Sequence, residues 1–104
     1  MATGSGSEGG WEVAERRPPA LLVRLRQRSV VLPWALFLFA EGTDAELRAV
    51  FHTHVLTVQG AGLEFLLAEL GEQRVTAIVE PDRTAKFTEG AGRRITALVL
   101  AENR

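Results

Sequence analysis

The chain has 104 residues, 46% of them hydrophobic, and a formal net charge of −1. This length and hydrophobic content fit one globular domain with one core. The small charge provides no overall attraction to nucleic acid or to an anionic membrane. Cysteine is absent, which excludes disulfides, thiolate zinc sites and cysteine nucleophiles.

The N-terminal residues 1–18 are expected to form a disordered or extended tail. Residues 1–10 are rich in glycine and serine and poor in apolar side chains, so they cannot bury a core. Pro18 and Pro19 then block a helix, and we predict that residues 19–104 form a single domain. The N-terminus lacks the basic and then apolar order of a signal peptide, and the apolar run 30–40 is too short to span a membrane. A cytoplasmic location is therefore expected.

Alternating apolar residues predict several β-strands. Leu21, Val23 and Leu25 alternate with a mostly basic face, a period typical of a half-buried strand. The run 95–101 is expected in the centre of a sheet, because its apolar residues point to both faces. The remaining predicted strands, rich in apolar and β-branched residues, are 30–32, 35–40, 46–51, 55–58 and 75–79. For 35–40 a short helix is the alternative, because the segment lacks clean alternation.

Before the strand 75–79, the pattern changes to that of a helix. Leu63, Leu66, Leu67 and Leu70 occur at i, i+3, i+4 and i+7 and form one apolar stripe. A helix over about 62–73 is marginal alone, so it must dock its leucines on a sheet. The chain is thus predicted to be an α+β domain: a mainly antiparallel curved sheet or small open barrel of about five to seven strands, with this helix on one face or plugging one end.

Gly60-Ala61-Gly62 precedes this helix, in the position where a helix N-terminus can bind a phosphate. A dinucleotide fingerprint requires a third glycine three residues after Gly62, where the chain has Phe65. No lysine follows as in a P-loop, and Glu64 would repel an anion. A tight strand-to-helix turn is the favoured interpretation.

His52 and His54 are separated by one residue in a predicted hairpin between two strands. On a strand they would share a face and could hold a metal, joined by Glu41, Asp44 or Glu46. The alternative is that both are solvated turn residues. No cofactor, small-molecule ligand or catalytic residue is predicted, so an enzyme is the less favoured hypothesis.

Five arginines lie in the N-terminal third of the chain: Arg16, Arg17, Arg24, Arg26 and Arg28. The last three alternate along a predicted strand and could contact a nucleic-acid backbone. The acidic residues of the segment 41–72 offer them partners within the fold or across a dimer. Nucleic-acid binding therefore stays an alternative to paired or solvated arginines.

The main functional hypothesis is a small self-associating interaction module, most simply a homodimer. The segment 36–39 places apolar side chains on both faces of any strand, and either a closed barrel or a partner subunit would cover the second face. A basic strand and an acidic middle segment can complement each other across a two-fold axis. The interface candidates are Trp34, Phe37, Phe39 and Phe65.

Overall fold

The computed structural model describes residues 10–81 and 94–103. Within them the chain forms, in order, β1 (Gly10–Val13), β2 (Ala20–Arg24), β3 (Ser29–Pro33), β4 (Phe37–Gly42), β5 (Glu46–Phe51), β6 (His54–Ala61), α1 (Leu63–Gly71), β7 (Val75–Val79) and β8 (Arg94–Glu102). No helix in these residues is long and apolar enough to cross a membrane. Residues 1–9 of the expected tail, and residues 82–93 between β7 and β8, fall outside the described residues.

The strands form two four-stranded sheets. The mixed sheet has the order β1-β7-β2-β3, in which β2 and β7 are parallel and the other pairs antiparallel. The antiparallel sheet has the order β4-β5-β6-β8. The predicted α+β class and mainly antiparallel pairing are confirmed. The two sheets are not closed into a barrel, so the predicted curved sheet or small open barrel is not confirmed.

The chain passes from the mixed sheet to the antiparallel sheet at a short 3-10 turn, Trp34–Leu36. Pro33 precedes this turn and has no N–H with which to continue a strand ladder. The Trp34 N–H donates to the Pro19 carbonyl at 3.1 Å, and the His52 N–H donates to the Leu36 carbonyl at 2.8 Å. Because these two bonds tie the turn to both sheets, β4 leaves the first sheet instead of extending it.

One hydrophobic core lies between the sheets, with α1 packed into it. Leu63, Leu66 and Leu70 are fully buried on α1, and Leu67 packs half-buried against the same core. The leucine stripe predicted from the sequence therefore faces the core. The sheets contribute Leu21, Val23, Leu32, Leu47, Ala49, Phe51, Leu56, Val58, Val75, Ile78, Ile95 and Leu98.

Two strands lie where the sequence did not place them. Residues 10–13 form β1, which pairs with β7, so the range expected as tail contributes an edge strand. β8 was predicted to be central, but among the described residues it pairs with β6 alone and lies at the edge of its sheet. An apolar run indicates that both faces of a strand are apolar. It does not indicate that both edges are paired.

Candidate interaction surfaces

Two of the predicted interface residues, Trp34 and Phe37, pack inside the fold. The Trp34 ring lies edge-on to Phe37, with 5.2 Å between ring centroids, and 5.7 Å from Phe51. Trp34 is only 5% exposed, and its indole N–H has no hydrogen-bond partner among the described residues. This aromatic cluster closes the core beside the turn that joins the two sheets.

A β-bulge places Phe37 and Phe39 on opposite faces of β4. In a regular strand, residues two apart share a face. Here Phe37 pairs with Phe51, whereas Phe39 pairs with Val50, because the register shifts between the two phenylalanines. Phe51 and Val50 are neighbours and point to opposite faces. Phe37 therefore joins the core while Phe39 stays 47% exposed.

The outer face of the antiparallel sheet carries an unbroken apolar row. In register across β4, β5, β6 and β8 lie Phe39, Val50, Val55 and Ala101. Val50 is buried but does not belong to the core cluster, which agrees with its outward position. Val99 lies in the next row on the same face and is 58% exposed. We call these five residues the outer apolar patch.

An ion-pair row flanks the outer apolar patch. Glu41, Arg48, Thr57 and Val99 are in register across the four strands, and the Arg48 guanidinium donates a hydrogen bond to the Glu41 carboxylate. Both partners are more than half exposed, so the pair contributes little to stability on its own. Its main effect is to place one positive and one negative charge directly beside the apolar row.

Phe65, the fourth predicted interface residue, lies on the other side of the fold. It projects from α1 away from the leucine stripe and is 53% exposed. The buried leucines of α1 share the core with the inner faces of β5 and β6. Phe65 is therefore not part of the outer apolar patch, and the four predicted aromatics do not form one surface.

The five candidate arginines do not form one surface either. β2 ends at Arg24, and the Leu25 N–H donates to the Arg28 carbonyl at 2.8 Å to close a turn. Arg26 and Arg28 therefore lie in that turn, and the predicted alternation along one strand face is wrong. Arg16 and Arg17 belong to the β1–β2 connection at the opposite end of the mixed sheet.

Arg26 is committed to Glu80, the residue that follows β7. Its backbone N–H donates to Glu80 Oε1 at 2.8 Å, and its Nε lies 3.5 Å from Glu80 Oε2. The Glu80 N–H in turn donates to the Arg24 carbonyl at 2.8 Å. In the part of the chain that the structure describes, Arg16, Arg17, Arg24 and Arg28 have no acidic partner.

The helix N-terminus considered for phosphate binding is already capped. The Asp44 carboxylate accepts the backbone N–H groups of Gly62, at 3.2 Å, and Glu64, at 3.3 Å. The Asp44 carbonyl accepts the Leu63 N–H at 3.0 Å. Gly62 has a left-handed conformation, φ 70°, and Gly60 lies against the Arg94 carbonyl in a bulge between β6 and β8. The glycines therefore serve a strand-to-helix turn that Asp44 holds from 18 residues away.

His52 and His54 lie at the β5–β6 hairpin that the sequence predicts. His52 is exposed, and the His54 Nδ1 is 2.9 Å from the Thr53 hydroxyl. Asp44 is used as the helix cap and Glu41 pairs with Arg48, so neither is directed to a metal. Among residues 10–81 and 94–103, no group of three or more His, Asp or Glu side chains is arranged to hold a metal ion.

The sequence did not single out Val50, Val55, Val99 or Ala101, because strand register brings them together and register is not visible in a single sequence.

Comparison with known proteins gives no further guide to function. No protein-family model matches this chain, and neither a curated protein nor a solved structure matches it.

Proposed function

We propose that this domain is a self-associating interaction module that dimerises through the outer face of its antiparallel sheet. The observation that carries the proposal is the outer apolar patch, which includes the exposed side chains of Phe39 and Val99. Exposed apolar side chains that are contiguous and bordered by charges are typical of protein interfaces.

A second copy of the chain fits this surface by its charges. In a two-fold interface, residue i of one subunit meets residue j of the other, and the reverse contact also forms. Glu41 and Arg48 lie side by side along the patch. The Arg48 guanidinium of one subunit can therefore reach the Glu41 carboxylate of its partner, while Phe39 packs against the partner's apolar row.

The size of the surface predicts a weak dimer. The outward rows are those of Phe39 and Glu41 and a third that contains Glu46, Gln59 and Ala97. With strands about 4.8 Å apart, the four strands and these three rows span roughly 20 Å by 20 Å, or about 400 Å² in projection. A standard interface buries about 800 Å² of accessible surface per partner. We therefore expect dissociation in the micromolar range, with monomer and dimer exchanging as concentration changes.

Sedimentation equilibrium tests the proposal directly. Wild-type protein should move from 11.4 kDa towards twice that mass as its concentration rises through the micromolar range. Phe39→Glu should stay monomeric and fold normally, because it places a charge in the interface without entering the core. A wild-type chain that stays monomeric over the whole range would overturn the proposal.

Two control variants locate the interface. Val31→Glu introduces the same charge on the mixed sheet, at a residue that is 62% exposed, and should dimerise like wild type. Phe65→Glu makes the same change on α1 and should also dimerise. Loss of the dimer in Phe65→Glu, with Phe39→Glu unaffected, would place the interface on the helix and contradict the sheet-face proposal.

A further inference from the structure

A cleft of about 600 Å³ lies between β8 and the turn that joins β2 to β3. Leu98, Val99 and Leu100 form one wall, and the turn 25–28 with Glu80 forms the other. Leu98 belongs to the core, and Leu25 and Leu100 pack against it, so the floor is apolar and fixed. The volume lies within the range of sites that bind ligands.

The cleft meets β8 along its edge. Consecutive residues of a strand point to opposite faces, so a cavity lined by 98, 99 and 100 together touches the edge of the strand and not only one face. β8 pairs with β6 on its other side and has no strand partner here among the described residues. Every second residue of β8 thus turns its N–H and C=O towards the cleft. Such an edge can accept the backbone of an added strand.

The wall opposite β8 is positively charged. Arg26 and Arg28 line it, and Arg24 lies just before the turn. Glu80 offsets one of these charges through Arg26, while no acidic residue of the described chain pairs with Arg28. A group that enters the cleft along β8 therefore meets the guanidinium of Arg28. A guanidinium binds a carboxylate through two parallel hydrogen bonds.

We propose that this cleft binds an extended acidic peptide, which adds as a further strand beside residues 98–100, at the edge of β8 that no described strand covers. The peptide backbone pairs with β8, alternate apolar side chains rest on Leu25, Leu98 and Leu100, and a carboxylate on the other side meets Arg28. This site shares Val99 with the outer apolar patch, whereas Phe39 and the Glu41–Arg48 pair of the proposed dimer surface lie on other strands.

The test is a titration of isotope-labelled protein with a hexapeptide of alternating valine and glutamate, blocked at both ends, and followed by NMR. At peptide concentrations up to about 1 mM, which detects even weak binding, amide shifts should concentrate in the residues 25–28 and 98–100. Arg28→Glu should weaken binding by about fivefold, the range of an exposed ion pair. Added salt should weaken it further.

Three controls make the result specific. Arg17→Glu changes the net charge equally at the far end of the mixed sheet and should bind the peptide like wild type. The same peptide N-methylated at every residue has no N–H to donate from either edge and should not bind. Phe39→Glu should remove the dimer but bind the peptide like wild type, so the dimer proposal and the peptide proposal can fail independently.

Several outcomes would overturn the inference: no shift with the acidic peptide, equal binding of a valine–lysine hexapeptide, or equal binding of the N-methylated peptide. Shifts of the same residues with a single-stranded RNA oligonucleotide, and none with the peptide, would instead assign the cleft to nucleic acid.

Discussion

Substitution of Asp44 tests how this fold holds its helix. One side chain in the β4–β5 connection accepts two backbone N–H groups at the start of α1, from Gly62 and Glu64. Asp44→Ala removes both bonds and the negative charge at the helix N-terminus. The backbone bond from Leu63 to the Asp44 carbonyl does not depend on the side chain and should survive.

The expected loss follows from these contacts. Removal of a helix cap costs about 0.5–2 kcal/mol, and the charge–dipole interaction adds about 0.3–1 kcal/mol. Both hydrogen bonds are longer than 3.1 Å, which favours the lower half of each range. We therefore expect Asp44→Ala to lower the free energy of unfolding by about 1–2 kcal/mol, or the Tm by about 4–16 °C in a domain of this size.

Urea denaturation monitored by far-UV circular dichroism measures this loss as a shift of the midpoint at unchanged slope. Asp44→Asn keeps one acceptor oxygen and should lose roughly half as much. Glu46→Ala is the matched control. It also removes a carboxylate, at the start of β5, but this carboxylate accepts a weak hydrogen bond of 3.4 Å from the Gln59 side chain and, among the described residues, none from α1. If Asp44→Ala is no less stable than Glu46→Ala, the cap does not stabilise α1 and the reasoning fails.

Three further predictions concern stability. Leu66→Ala should cost about 2–5 kcal/mol in urea denaturation, and Leu67→Ala clearly less, because Leu67 is only half-buried; equal losses would contradict the orientation of α1. Gly60→Ala drives a methyl group into a backbone carbonyl of β8 and should cost at least about 1–3 kcal/mol; a stability like that of wild type would disprove this close approach. By calorimetry, removing residues 1–9 should change the Tm by less than about 2 °C. Removing residues 1–13 also deletes β1 and should lower the Tm by several times that amount. Equal Tm values for the two truncated proteins would mean that β1 does not stabilise the fold.

The sequence predicts those features of the fold that depend on local periodicity. The leucine spacing of α1 and the alternation in β2 repeat within one element, so the buried faces of Leu66 and Leu21 follow from the pattern alone. The hairpin at residues 52–54 also forms as predicted. The class of the fold follows from these elements.

Features that depend on distant pairing could not be predicted. The short strand β1 lies in a glycine-rich segment, and its pairing with β7 decides that it is a strand. The outer apolar patch likewise exists only because Phe39, Val55 and Ala101 fall into register, and a one-residue slip would turn them to the other face. Asp44 caps α1 although β5 and β6 lie between them in the sequence. The usual capping position is occupied by Gly62, which has no side chain that could cap the helix.

The parallel pairing of β2 with β7 has a consequence for the order in which the chain folds. β4, β5 and β6 follow one another as hairpins and need only short loops to close, but Leu22 meets Ala77 across about half of the chain. Closing a long loop costs entropy before its contacts form, and such pairings slow folding. We therefore expect the β4–β6 meander and the β2–β3 hairpin to form early, while the pairing of β2 with β7 forms late. During synthesis on the ribosome, the mixed sheet is completed only after Val79 has left the exit tunnel, and until then the edge of β2 that β7 will cover is open to other chains.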